Sequence, residues 1–279
     1  MRSLYVLLEK VRDVLTPLLR GYNLDSIYKA TMYSLTYTAL SRSGTGYGLL
    51  KPLEGRIPRP LIALARGKLY YLFLELLNLL DTLLSSKRPV VVEGEANLLF
   101  IIDWLRREVG SVDYVMVYDC MSLIEFLAIS AYLSSKGIRS VFLSKIFLNP
   151  VGLTRFVTQQ LRNMHRYEAL REVAHLIAES LEGVGYYKSS YLDRKVHEYG
   201  HLGIEEFIEM MNLDEVAEEI LNQAIRGKLL VGTDHGYDFV MSKDDGYIYI
   251  THGFKSSDMY KATPLLLLSR LALFMEAYR

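Results

Sequence analysis

A single cysteine, Cys120, stands in 279 residues. That scarcity excludes an internal disulfide and any zinc site built from several thiolates. Charge of one sign is also missing: 32 lysines and arginines balance 32 aspartates and glutamates. A protein that coats nucleic acid by general electrostatics is thereby excluded, while a local basic patch is not. With 51% hydrophobic residues the composition is not that of a disordered chain, and the length can bury a core without disulfides or structural metal. Uninterrupted apolar runs of membrane length are absent as well. The most apolar stretch, Leu61 to Leu84, is broken by Arg66, Lys68, Glu75 and Asp81, each costly at a bilayer centre, and reads as a buried amphipathic helix. The first residues, Met1-Arg2-Ser3-Leu4, lack the apolar run of a signal peptide, so the expectation is a cytoplasmic protein with no membrane partner. There is no internal repeat and no low-complexity segment.

What is present divides into two parts. Over residues 1–87 apolar residues recur at helical spacing, as in Leu4, Leu7, Leu8, Val11 and Leu15, which predicts a helical region. It is interrupted by Ser41-Arg42-Ser43-Gly44-Thr45-Gly46-Tyr47-Gly48 and by Pro52, Pro58 and Pro60. These glycines fit no phosphate-loop spacing, so a connector between helices is favoured over a lid. Over residues 88–279 strands and helices alternate. Strands are expected at Val90-Val91-Val92, 114–118, 139–143, Tyr186-Tyr187 and 229–232, with a hairpin over 239–251 turning at Asp244-Asp245-Gly246. Helices are expected near 97–109, 123–135, 153–181, 204–226 and 263–277. The fold class is therefore α/β, a mostly parallel, doubly wound sheet behind an N-terminal helical region.

In such sheets ligands bind beyond the carboxyl ends of the strands. Three segments place metal-type ligands there: Asp119 after the strand ending at Tyr118, Asp234-His235-Gly236 after the strand ending near Gly232, and His252-Gly253 after the second hairpin arm. A fourth, Asp193-Arg194-Lys195-Val196-His197-Glu198-Tyr199-Gly200-His201, contains Asp-x-x-x-His overlapping His-x-x-x-His, and either pair can point one way from a helical turn. Mixed imidazole and carboxylate ligands suit zinc or manganese, whereas magnesium and calcium prefer oxygen alone.

These four ordered elements resemble the alkaline phosphatase superfamily. The tail Tyr249-Ile250-Thr251-His252-Gly253-Phe254, with Pro264 after it, is similar to the end of PglZ domains. The resemblance runs from about Val90 to Arg279 and implies an alkaline-phosphatase-like sheet carrying two divalent metal ions. One would be held by Asp119, Asp234 and His235, the other by Asp193, His197 and His252, with His201 the alternative to His197 because the family's middle element ends in Gly-His. It also implies a Ser or Thr nucleophile at a helix start, for which Thr154 in Leu148-Asn149-Pro150-Val151-Gly152-Leu153-Thr154 is the best match, followed by Ser144, Thr158 and Ser122. The implied activity is that of a two-metal phosphohydrolase, a phosphodiesterase in preference to a monoesterase, acting on a nucleotide or another phosphate ester.

Other readings stand beside these. A degenerate PglZ-type domain would be a non-catalytic binding or scaffold protein, with the N-terminal helices as a surface for a protein partner. A mutase or sulfatase of the same superfamily is disfavoured by the lack of a recognisable cap insertion. Asp119 could cap the following helix, and Cys120 could be a buried small hydrophobe in place of a nucleophile. His165 and His175 read as helix-surface positions, and Arg155, Arg162 and Arg166 as surface cations or phosphate-holding groups.

Overall fold

A computed structural model of the chain describes residues 4–85, 98–159, 161 and 166–279. The expected strand Val90–Val92, the 87/88 boundary, Arg162 and His165 lie outside the described residues. Helices are α1 Leu4–Leu15, α2 Leu24–Ser43, α3 Lys51–Glu54, α4 Arg59–Arg66, α5 Lys68–Ser85, α6 Leu98–Glu108, α7 Leu123–Ser135, α8 Thr154–Val157, α9 Arg166–Ser180, α10 Tyr191–Tyr199, α11 Ile204–Glu209 and α12 Leu213–Arg226. Strands are β1 Tyr114–Tyr118, β2 Arg139–Phe142, β3 Phe147–Leu148, β4 Gly185–Ser189, β5 Leu229–Thr233, β6 Asp238–Ser242, β7 Ile248–Thr251, β8 Ala262–Leu267, β9 Leu271–Ala272 and β10 Phe274–Tyr278.

The protein is α/β. Its main sheet has the order β2-β10-β5-β1-β4. β1 runs parallel to β4 and β5, while β10 is antiparallel to both β5 and β2, so the sheet is mixed. Side chains alternate between two cores. Met116, Tyr118, Leu229, Val231 and Met275 join the helices α1, α2, α5, α7 and α12 on one face. Val115, Val117, Leu230 and Phe274 join α6 and α9 on the other. Both faces are thus covered, which is why β1 and β5 read as continuous apolar runs.

α7 sits in the middle of the larger core, and from Leu123 to Ala131 every residue is buried. α2 is similarly enclosed. Its buried Thr31, Thr36 and Thr38 hydroxyls donate to the carbonyls four residues back, leaving no orphan polar group. Asn23 caps the start of α2 and Gly44, in the left-handed region at φ 69°, closes it. The Ser41–Gly48 segment is consequently a helix end and a connector. The apolar stretch from Leu61 is divided at Gly67 into α4 and α5. Among the described residues no helix is long and apolar enough to cross a membrane.

Three expected elements differ. The helix over 263–277 is instead β8, β9 and β10, with β10 inserted between β2 and β5. A strand covered on both faces carries no alternation, and Leu-Leu-Leu-Leu-Ser-Arg-Leu-Ala-Leu-Phe-Met suits either form by periodicity alone. The long helix from 153 is a four-residue turn, α8, with α9 starting at Arg166. The helix over 204–226 breaks at Met210–Asn212, where the Asn212 N–H donates to the Tyr191 hydroxyl. A second, three-stranded sheet, β7-β6-β8, contains the expected hairpin.

Candidate metal centre

The parallel register levels the strand ends: Tyr118 pairs with Ser189 on one side and Thr233 on the other. The next residue in each strand is therefore at the same edge, which sets Asp119, Ser190 and Asp234 side by side. α10 starts one residue later and carries Asp193 in its first turn. The β6–β7 hairpin returns His252 to the same place, and the loop after β3 brings in Thr154.

Six of the expected ligands fall into two groups, Asp119 with Asp234 and His235, and Asp193 with His197 and His252; within each, one ligand atom per residue lies within 4.8 Å of the others. In the first group His235 Nε2 is 3.4 Å from Asp119 Oδ1 and 3.6 Å from Asp234 Oδ2. In the second, Asp193 Oδ1 is 3.4 Å from both His197 Nε2 and His252 Nε2, which are 3.1 Å apart. The His235 and His252 rings stack at 5.0 Å, joining the groups. Thr154 Oγ1 lies 3.3 Å from Asp119 Oδ1 and 3.2 Å from His235 Nε2. His197 belongs to the site because it is one helical turn from Asp193 on α10. His201 lies past the helix end at Gly200, is exposed, and is in neither group.

The donor set fits a cation. Asp119, Asp234 and His235 could hold a metal ion, being buried together with oxygen and nitrogen donors converging. Both carboxylate oxygens of Asp234 are buried with no hydrogen-bond partner. A buried carboxylate left in that condition is costly, and a bound cation would satisfy it. His235 Nδ1 donates to the Gly236 carbonyl at 2.8 Å, which turns Nε2 toward the carboxylates and supplies the outer hydrogen bond usual behind a histidine ligand.

The local electrostatics follow from burial. Burial, then the Asp234 carboxylate, raise Asp119 to about 7, against the pull of His235. Burial pushes His235 down, but Asp234 and Asp119 outweigh it and leave the ring above its ordinary value. Burial, and His235 beside it, lower His252 to about 4.

The loops are tied tightly. Asn149 Nδ2 donates to the Leu153 and Asp234 carbonyls at 2.9 and 3.1 Å, fastening the Thr154 loop to the Asp234 loop. Gly152 has φ 59°, and a Cβ there would overlap the Ser269 hydroxyl, so only glycine permits the approach. Ser122, not Asp119, caps α7, with Glu125 completing a capping box. Cys120 Sγ donates to the Gly236 carbonyl at 3.3 Å, and burial, with Asp119 next, raises its thiol well above the usual range; this is the opposite of an activated nucleophile.

Among the alternative hydroxyls, Ser122 is engaged by Glu125 at 2.6 Å, Thr158 donates to the Thr154 carbonyl, and Ser144 is exposed. His175 pairs with Glu172 and lies against Tyr186 with its ring tilted 36° to the phenol, in neither group. A cavity of about 380 Å³ opens over Asp119, Thr154, Asp193 and His252, and Arg155, Lys188 and Arg194 also line it. Asn149, Lys188 and Arg194 were not distinguished by sequence. The only available signals were an Asn-Pro turn and a lysine in the otherwise aromatic strand Tyr186-Tyr187-Lys188. No protein-family model matches the chain, and no curated protein matches it either.

Proposed function

We propose that the chain is a two-metal phosphohydrolase, in preference a phosphodiesterase, of the kind its resemblance to the alkaline phosphatase superfamily and its PglZ type implies. The observation carrying this reading is the placement of the Thr154 hydroxyl between Asp119 and His235, two members of one of the two three-residue groups. Asp119, Asp234 and His235 would hold one zinc or manganese ion, and Asp193, His197 and His252 the second. Divalent ions there would neutralise phosphoryl oxygens and favour the ionised form of an attacking hydroxyl.

The chain's own residues do the rest. Thr154 Oγ1, whose proton faces Asp119 Oδ1 at 3.3 Å, loses that proton to water and forms the new bond to phosphorus as the ester P–O bond breaks. The leaving oxygen departs with the bonding pair and takes a proton from solvent; a water oxygen then bonds phosphorus as the Thr154 O–P bond breaks, and Thr154 regains a proton. Asn149 and Gly152 hold the loop so that the hydroxyl needs no reorganisation to reach its position.

Protein purified without chelator should contain about two equivalents of zinc or manganese and hydrolyse bis-nitrophenyl phosphate. Thr154→Ala should lower turnover by at least about a thousandfold while keeping metal. Asp119→Ala should lose metal and turnover together. Absence of divalent-ion binding in calorimetry, or full turnover by Thr154→Ala, would overturn the ion-dependent reading or the Thr154 role respectively.

A further inference from the structure

Between Ser41 and Lys68 the chain carries six cations, Arg42, Lys51, Arg56, Arg59, Arg66 and Lys68, against one carboxylate, Glu54. The whole sequence is neutral, so this stretch concentrates positive charge on the N-terminal helical region. All six cations are exposed, and none lines the cavity over Thr154. Arg42 pairs with Asp81, Arg56 with Glu209 and Arg66 with Glu54. The side chains of Lys51, Arg59 and Lys68 have no ion-pair or hydrogen-bond partner among the described residues.

Tyrosines form a column beside this charge. Tyr33 and Tyr37, one turn apart on α2, lie within 21° of parallel with ring centroids 5.9 Å apart, and Tyr47 lies against Tyr37 at 4.5 Å and 20°. The Arg66 guanidinium sits 5.7 and 5.5 Å from the Tyr33 and Tyr37 ring centres. Tyr70 meets Tyr37 edge-on, and Tyr71 meets Tyr70 in the same way. Packing explains the inner end of the column: Tyr33 is fully buried, its hydroxyl donating to Glu54 and accepting from Arg66. It does not explain the outer rings. Tyr47 is 44% exposed and Tyr71 69%, so the column ends at the surface. Tyr47 belongs to the glycine-rich connector, and a Cβ on Gly46 or Gly48 would meet nothing within 4 Å, so the backbone on either side of the ring stands in open space.

A planar base extends such a column, because every nucleobase has a π-face, and the phosphates flanking it suit cations that have no partner within the chain. Base faces are hidden inside a duplex, so a single strand fits best. We propose that Tyr47 and Tyr71 stack the bases of a single-stranded nucleic acid while Lys51, Arg59 and Lys68 hold its phosphates. This surface precedes the part of the chain that resembles the alkaline phosphatase superfamily, and it does not depend on the chain being a hydrolase.

Fluorescence anisotropy of a labelled oligothymidylate of about 15 nucleotides, titrated with the whole chain in the presence of chelator, tests this without metal-bridged contacts at the candidate centre. Wild type should bind the oligonucleotide, with affinity falling as salt rises, and bind a duplex of the same length at least about tenfold more weakly. Tyr47→Leu alters an exposed ring and should melt like wild type, yet weaken binding about tenfold, the loss expected for one stacked base. Tyr71→Leu should act in the same direction, and it decides the matter if Tyr47→Leu melts lower than wild type. A Lys51→Gln, Lys68→Gln variant should bind more weakly and with a shallower salt dependence. Absence of binding at low salt, equal binding of the duplex, or wild-type affinity in a natively melting tyrosine variant would overturn the inference. Preferential binding to phosphatidylglycerol vesicles over the oligonucleotide would overturn it too, by making the patch a membrane-surface contact.

Discussion

Cys120 shows how much of this site is set residue by residue. It follows Asp119 at φ 66°, a left-handed conformation that costs a non-glycine residue about 1–2 kcal/mol. The turn is needed to bend the chain from β1 into the cap of α7 while Asp119 stays at the sheet edge. Cys120→Gly should accordingly be at least as stable as Cys120→Ala in urea unfolding, although glycine normally costs about 1 kcal/mol more than alanine inside regular structure. A glycine variant clearly weaker than the alanine variant would show that the turn is unstrained and that side-chain packing dominates.

Between elements, the decisive contact is made by Glu125 in the first turn of α7. Its Oε1 accepts hydrogen bonds from the hydroxyls of Tyr28 on α2 and Tyr237 beyond β5, at 2.8 and 2.6 Å. Its Oε2 accepts from the Ser122 N–H and hydroxyl at 2.9 and 2.6 Å. One fully buried carboxylate thus joins an N-terminal helix to the two loops that carry Asp119 and His235. Glu125→Ala should destabilise by at least about 3 kcal/mol, because it removes the shared acceptor of two buried tyrosine hydroxyls, which keep only a long contact to each other, and of the Ser122 N–H and hydroxyl. Tyr28→Phe leaves Tyr237 and Ser122 on the carboxylate and should cost only about 1–2 kcal/mol. Thermal unfolding of both variants checks the order, and equal losses would mean that packing of Tyr28, not the shared carboxylate, joins the helices to the site.

At the scale of the whole molecule, the last strand closes the sheet. β10 pairs with β5 along 274–277 and with β2 along 275–278. A chain ending at Leu273 would leave the facing edges of β2 and β5 without partners and open both cores. It should lose cooperative unfolding and near-ultraviolet circular dichroism, whereas an expendable terminal helix would be removed with the fold intact. Soluble, cooperatively unfolding truncated protein would refute this placement.

Much of the candidate site could be read from sequence because the residues that could serve as ligands are local to strand ends and helical turns. Asp119, Asp234-His235 and His252 each follow a strand that hydrophobic patterning locates, and Asp193 with His197 are one turn apart on a helix. The choice between His197 and His201 was not local: it depended on where α10 ends and on which face of it meets His252. The strand identity of 262–278 was likewise undetermined, since a strand buried on both faces and an apolar helix share one pattern. Asn149 and Lys188 join the site only through a loop and a strand distant in the chain from Asp234 and Asp119, whereas Arg194, beside Asp193 on α10, carried no sign in sequence that it faces the cavity. Sequence periodicity thus determined which residues could serve as ligands and roughly where the sheet runs. Their collection into two groups was decided by the tertiary structure: the parallel register of β1 with β4 and β5 levels the ends that carry Asp119 and Asp234, and α10 and the β6–β7 hairpin bring Asp193, His197 and His252 beside them.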